Sequence, residues 1–128
     1  MDKKNLEKLV SAWIKMSSAE DESSEYEKNF WAAERMFKLV ENNPEEAWIV
    51  LNAIRQATDD DNVLAHLAAG HLEDFINEHG EKFIDRFEEL AKNDENFRRL
   101  LGGVWQRDKM SDNLCARLKV IALPPEWD

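Results

Sequence analysis

The stretch Asp59–Gly80, DDDNVLAHLAAGHLEDFINEHG, decides the fold class of this chain. Asp60 or Asp61 is placed to cap a helix, because a short carboxylate accepts from the free N–H groups of the first turn. Gly80 is placed to end it, because glycine takes the left-handed conformation of a helix stop without steric cost. Between them Leu64, Leu67, Ala68, Leu72, Phe75 and Ile76 recur at helical spacing and form one apolar stripe. A start, a stripe and a stop predict a helix from Asp60 to Gly80. Gly70 within it either bends the helix or lets another approach closely.

The same grammar recurs on both sides. Asn43-Pro44-Glu45-Glu46 is a start signal: Asn43 caps, Pro44 takes the first helical position and Glu46 completes a capping box. The helix it opens, Pro44 to Ala57, is apolar over much of its surface, which predicts a central element with neighbours on both flanks. Ser24 with Glu27 predicts another capping box and a long helix to about Glu41. Residues 5–18 form a first helix, with Leu6, Leu9, Val10, Trp13 and Ile14 on one face and lysines on the other. Downstream, residues 81–92 are amphipathic, Phe97 to Trp105 continue the pattern across Gly102-Gly103, and Ser111 caps a last helix ended by Pro124-Pro125, with Glu126-Trp127-Asp128 as a tail. The expectation is an all-α chain of six or seven helices, stacked as antiparallel hairpins in a short HEAT-like or α-solenoid-like bundle, forming a single helical domain over residues 1–128.

Composition agrees. Four Gly and three Pro in 128 residues are too few for a strand-and-turn protein. Five Trp and six Phe supply a core from few residues. The formal net charge of −10 is repelled by phosphate backbones and by anionic lipid, so nucleic-acid and membrane partners are disfavoured. Cys115 is the single cysteine, so no intramolecular disulfide forms. The opening MDKKNLEKLV lacks the apolar core of a signal peptide, and no apolar run reaches membrane-spanning length, so a cytoplasmic protein is expected.

At an offset of 34 residues, Ala57, Asp60, Val63, Leu67 and Ala69 align with Ala91, Asp94, Phe97, Leu101 and Gly103. Both stretches read helix, acidic turn, helix, the spacing of a stacked helix-hairpin repeat. The words LAAGHLEDFI (Leu67 to Ile76), His79-Gly80 and FRRLLGGVW (Phe97 to Trp105) lie in the same region. Over Asp60 to Gln106 they resemble an uncharacterised family of small bacterial helical proteins, a domain of unknown function. The resemblance implies helix-pair packing and no assigned activity.

Three histidines lie in the deciding stretch. At 100° per residue His66 falls opposite the apolar stripe, near Glu73 and Asn77, while His71 and His79 fall within it. His66 and His71 therefore diverge and cannot share a metal without outside help. His71, Asp74 and Glu78 follow one edge of the stripe, and an imidazole beside carboxylates suits acid–base chemistry or a metal. The plainer reading is a half-buried histidine satisfied by a neighbouring carboxylate. Arg98-Arg99 with Gly102-Gly103 either hold an anion or balance carboxylates while the glycines permit close packing. Cys115 matches no nucleophile motif. The acidic residues Glu20, Asp21, Glu22 and Glu25, with Asp59, Asp60 and Asp61, occupy loops that stacked hairpins bring to one edge.

The expected function is a non-catalytic protein–protein interaction module with those acidic residues facing a basic protein partner, with no cofactor or metal. By class analogy, immunity or antitoxin-like inhibitors are small, acidic and cytoplasmic. Two alternatives stand beside it. One is a self-associating structural protein, so that the chain is a monomer or a homodimer. The other is a hydrolase or metal-dependent enzyme using His71, Asp74 and Glu78.

Overall fold

Asp60 does cap its helix: its Oδ1 accepts from Asn62 N at 2.9 Å and Val63 N at 3.2 Å. The computed structural model describes residues 1–123, and the helices are α1 (Lys3–Ser18), α2 (Ser24–Asn29), α3 (Trp31–Asn42), α4 (Pro44–Ala57), α5 (Asp61–Leu67), α6 (Glu73–Ala91), α7 (Glu95–Leu101) and α8 (Asp112–Ile121). A π turn, Ala68–Leu72, carries the helical backbone from α5 into α6, so the described residues hold seven helical runs and no strand. The fold is all-α. The expected Pro124-Pro125 stop and the Glu126–Asp128 tail lie outside the described residues.

Two compact units divide the chain, Met1–Leu67 and Ala68 onward, with the boundary where α5 gives way to the π turn. In the first unit α1 touches α2, α3, α4 and α5, and so takes the centre of a bundle. Trp13 of α1 is fully buried, with Met36 of α3 and Val50 and Ile54 of α4. In the second unit α6 touches the π turn, α7 and α8. Its rings make a continuous aromatic core: Phe75 lies 4.7 Å from Phe83 edge-on, and Phe87 5.9 Å from Phe97. Arg117 of α8 staples the two long helices, donating to Glu88 at 3.0 Å and Asp85 at 2.7 Å.

Several local expectations change. Gly80 does not end a helix: α6 runs through it to Ala91. A Cβ there would lie 2.7 Å from a methyl of Leu114, so the glycine is a notch that lets α8 seat on α6. Burial of that contact outweighs the helix-breaking tendency of one glycine, about 1 kcal/mol. Gly70 lies in the π turn, and beyond its own helix backbone no atom stands within 4 Å of where its Cβ would be, so it permits no close approach. The cap of the second helix is Ser23, which accepts from Tyr26 N at 3.1 Å, rather than Ser24. The long helix read from Ser24 to Glu41 is broken at Phe30. There Asn29 Nδ2 donates to Glu25 O at 2.9 Å and to Glu25 Oε1, giving the backbone a competing partner.

Candidate functional site

The most constructed surface belongs to the second unit, where α6 holds the loop between α7 and α8. Glu73, Asn77 and Glu81 are spaced four apart and therefore share one face of α6. Glu73 Oε1 accepts from the backbone N–H groups of Trp105 at 2.9 Å and Gln106 at 2.7 Å. Asn77 Nδ2 donates to Gln106 O at 2.9 Å, and its Oδ1 accepts from Lys109 N at 3.1 Å. Ser111, the cap of α8, donates its hydroxyl to Glu81. A short loop has no helical partners of its own, so side chains of α6 satisfy its backbone. Bonds to an ionised carboxylate are the stronger kind.

The loop entry is shaped by two glycines. A Cβ on Gly102 would stand 1.8 Å from Leu123 O, and one on Gly103 would stand 2.8 Å from Ala68 Cβ. Arg98 ties down the same strand of chain: its Nε donates to Ile121 O at 2.9 Å, and its carbonyl accepts from Leu123 N at 2.9 Å. Arg98 thus serves the end of α8, while Arg99 pairs with Glu95 at 3.3 Å.

What this frame presents is Trp105. Its neighbour Val104 is buried, but Trp105 is 76% exposed. The expectation that Trp105 continues the inward pattern of Phe97 and Leu101 is overturned, because α7 ends at Leu101 and helical phase is lost at the glycines. Beside it, starting from Gln106, lies a recess of about 140 Å³ whose carboxylates are Glu73, Asp74, Glu78 and Asp108. Lys109 is its cation, 3.7 Å from Glu78. Desolvation pushes the Asp74 carboxyl up from its ordinary value; the fields of Glu73 and Glu78 add to this and Lys109 opposes it. A recess in which a carboxylate resists ionisation favours an incoming positive charge.

The residues singled out from the sequence scatter. His71 is buried at 4% exposure in the π turn, whereas Asp74 and Glu78 face solvent in the recess. The imidazole and the two carboxylates do not open onto one surface. His66 Nδ1 lies 2.8 Å from Ser17 Oγ, and its ring packs 5.1 Å from Trp13. Burial pushes the His66 pKa down, partly opposed by Asp21. Glu20, Asp21, Glu22, Glu25, Asp59, Asp60 and Asp61 are all exposed. Asp60 is occupied as a cap and Glu25 accepts from Asn29. Glu22 adopts φ 63°, a left-handed conformation uncommon outside glycine. Asp21 acts on His66 of α5 and Asp59–Asp61 stand at the start of that helix, so both acidic stretches flank α5. Cys115 is half-buried.

The reading from sequence missed the Glu73–Asn77–Glu81 row and the exposure of Trp105. The row was visible as polar residues four apart, but nothing local says that a loop 32 residues on would lie against it. Among the described residues no group of His, Cys, Asp and Glu side chains gathers as a metal site, and no helix is long and apolar enough to cross a membrane. No curated protein and no solved structure matches the chain. One family model does, described as "Family of unknown function (DUF6869)", over residues 19–123.

Proposed function

The chain belongs to this family of unknown function, which lends it no activity, and on the geometry we propose that it is a non-catalytic protein–protein interaction module. One observation carries the reading: Trp105 is held 76% exposed on a loop whose backbone is pinned by Glu73 and Asn77. A large aromatic side chain on a rigid support loses little conformational freedom when covered, which is the property of an interface anchor. The acidic recess that begins at Gln106 then receives a Lys or Arg of the partner. The exposed acids Glu20, Asp21, Glu22, Glu25 and Asp59–Asp61 raise the association rate of a basic partner through their long-range field, wherever on the chain it docks.

The test is to capture the partner with the wild-type chain and measure its affinity for variants of matched folded fraction. Trp105→Ala is expected to weaken binding roughly 30-fold, about 2 kcal/mol, with no loss of stability. Replacing Glu20, Asp21, Glu22 and Glu25 with Gln is expected to slow association at about 50 mM salt but not at about 500 mM, where the Debye length falls to roughly 4 Å. Unchanged affinity in Trp105→Ala sinks the reading. A chain that sediments as a dimer and is dissociated by Trp105→Ala replaces it with self-association.

A further inference from the structure

The segment Ile121–Leu123, where α8 ends, lies against the ending of α7. Leu123 N donates to Arg98 O at 2.9 Å, and Arg98 Nε donates to Ile121 O at 2.9 Å. The Arg98 carbonyl is shared. Gly102 N also reaches it, at 3.3 Å, in the bond that a continuing α-helix makes. Leu123 N holds the nearer place. Past that point the chain keeps only the tighter pattern of bonds three residues back, Gly103 N to Leu100 O at 3.0 Å and Val104 N to Leu101 O at 3.1 Å. Leu123 O stands 1.8 Å from where a Cβ at position 102 would be. Residues 121–123 therefore cover the face of α7 that carries Arg98 and Gly102.

Helical phase assigns a second occupant to that face. Were α7 to run on by one turn, Trp105 would fall about 20° from Arg98, about 40° from Leu101 and about 60° from Gly102, at roughly 100° per residue. The ring and residues 121–123 would then claim one place, and only one of them can hold it. The backbone is satisfied either way. Trp105 N and Gln106 N, which donate to Glu73 Oε1, would donate instead to the carbonyls of Leu101 and Gly102. Gly102 and Gly103 are poor helix formers, which tilts the balance toward the shorter α7. Covering a tryptophan ring tilts it back.

We propose that Ile121–Leu123 is a strap that switches the Trp105 surface. With the strap bonded to Arg98, α7 stops at Leu101 and Trp105 is held outward at 76% exposure. With the strap off, α7 lengthens through the two glycines and Trp105 covers the vacated face. A partner that draws residues 121–123 away from Arg98 thus withdraws the aromatic anchor. The regulatory use rests on the reading of Trp105 as an anchor, whereas the switch itself is a change in the exposure of one ring and is measured with no partner present.

Fluorine NMR of the full chain labelled with 5-fluorotryptophan tests this. Trp105→Phe assigns the Trp105 line, and its shift between H2O and D2O reads the exposure of the ring. Leu123→Pro removes the donor to Arg98 O, and Ala122, at φ −73° and ψ 150°, already has the backbone that a following proline requires. Leu123→Ala keeps the donor and loses only the side chain. Leu123→Pro is expected to reduce the isotope shift of the Trp105 line at least twofold and to move the Gly103 Cα carbon shift toward helical values. Leu123→Ala is expected to leave both as in the wild type. Arg98→Met, which loses the donor to Ile121 O, is expected to act in the same direction by a smaller amount, and it decides the matter should Leu123→Pro not fold. A Trp105 line as exposed in these variants as in the wild type overturns the switch, and so does an equal change in Leu123→Ala. The affinity of Trp105→Ala for a partner is a separate measurement, so failure of the anchor reading and failure of the switch are told apart.

Discussion

Helices α5 and α7 stand 34 residues apart and begin alike. Ala57 and Ala91 close the helix before, Asp60 and Asp94 cap, and the cap accepts from Val63 N at 3.2 Å in one and Phe97 N at 2.9 Å in the other. Each then runs seven residues, Asp61–Leu67 and Glu95–Leu101. From there they part. Ala68 and Ala69 lead α5 into the π turn, while Gly102 and Gly103 end α7 and release the chain toward Trp105. Both beginnings are satisfied by residues within three positions, so the same short sequence gives the same structure. The endings answer to distant atoms: Leu123 O stands where a side chain at position 102 would be. The echo is therefore a shared start with separately determined ends.

The largest expected effect breaks the α7 ending. Gly102→Ala drives a Cβ into Leu123 O and should cost about 3 kcal/mol, the upper range for overpacking. Urea denaturation reads it directly, and a loss well under 1 kcal/mol would mean that the crowding at Gly102 is absent. Next come the caps. Asp60→Ala and Asp94→Ala should each cost about 1 kcal/mol, and near-equal losses would sharpen the claim that the two starts are equivalent. Ala69→Gly, at the exposed position matching Gly103, should cost about 0.5–1 kcal/mol from backbone entropy alone. A larger loss would show that the π turn depends on a side chain at that position.

The smallest effect concerns pH. His66 of α5 matches Leu100 of α7, which is buried at 6% exposure. Burial against Trp13 lowers the His66 pKa from its ordinary 6.5, so the unfolded chain holds the extra proton in the window just below 6.5. Stability from this group is full above pH 6.5 and falls as pH drops through the lowered value. His66→Gln should flatten that part of the stability profile, followed by thermal melts between pH 7.5 and 5. A slope that survives the substitution would assign it to other groups.

Much of the fold was legible because it is written in local chemistry. Asn43-Pro44, Asp60, Asp94 and Ser111 each mark a helix start through a bond made three residues away, and helical spacing of apolar residues gave the all-α class. The break at Phe30 was less legible, because Asn29 competes for its own helix with a side chain that looks merely polar in sequence. The candidate site was hardly legible. Its members, Glu73, Asn77, Glu81 and Trp105, are linked across about 30 residues, and that pairing has no local signature.

By itself the sequence determined the helical class, the start of most helices and the acidic character of the exposed loops, since capping, periodicity and charge act within a few residues or over the whole surface. Only the tertiary structure decided that Gly80 is a notch for Leu114 and not a stop, that Gly102 lies beneath Leu123, and that Trp105 faces outward while Val104 is buried. The physical reason is common to all three. A glycine or a tryptophan permits more than one local conformation, and the choice falls to whichever atoms from elsewhere in the chain occupy the space beside it.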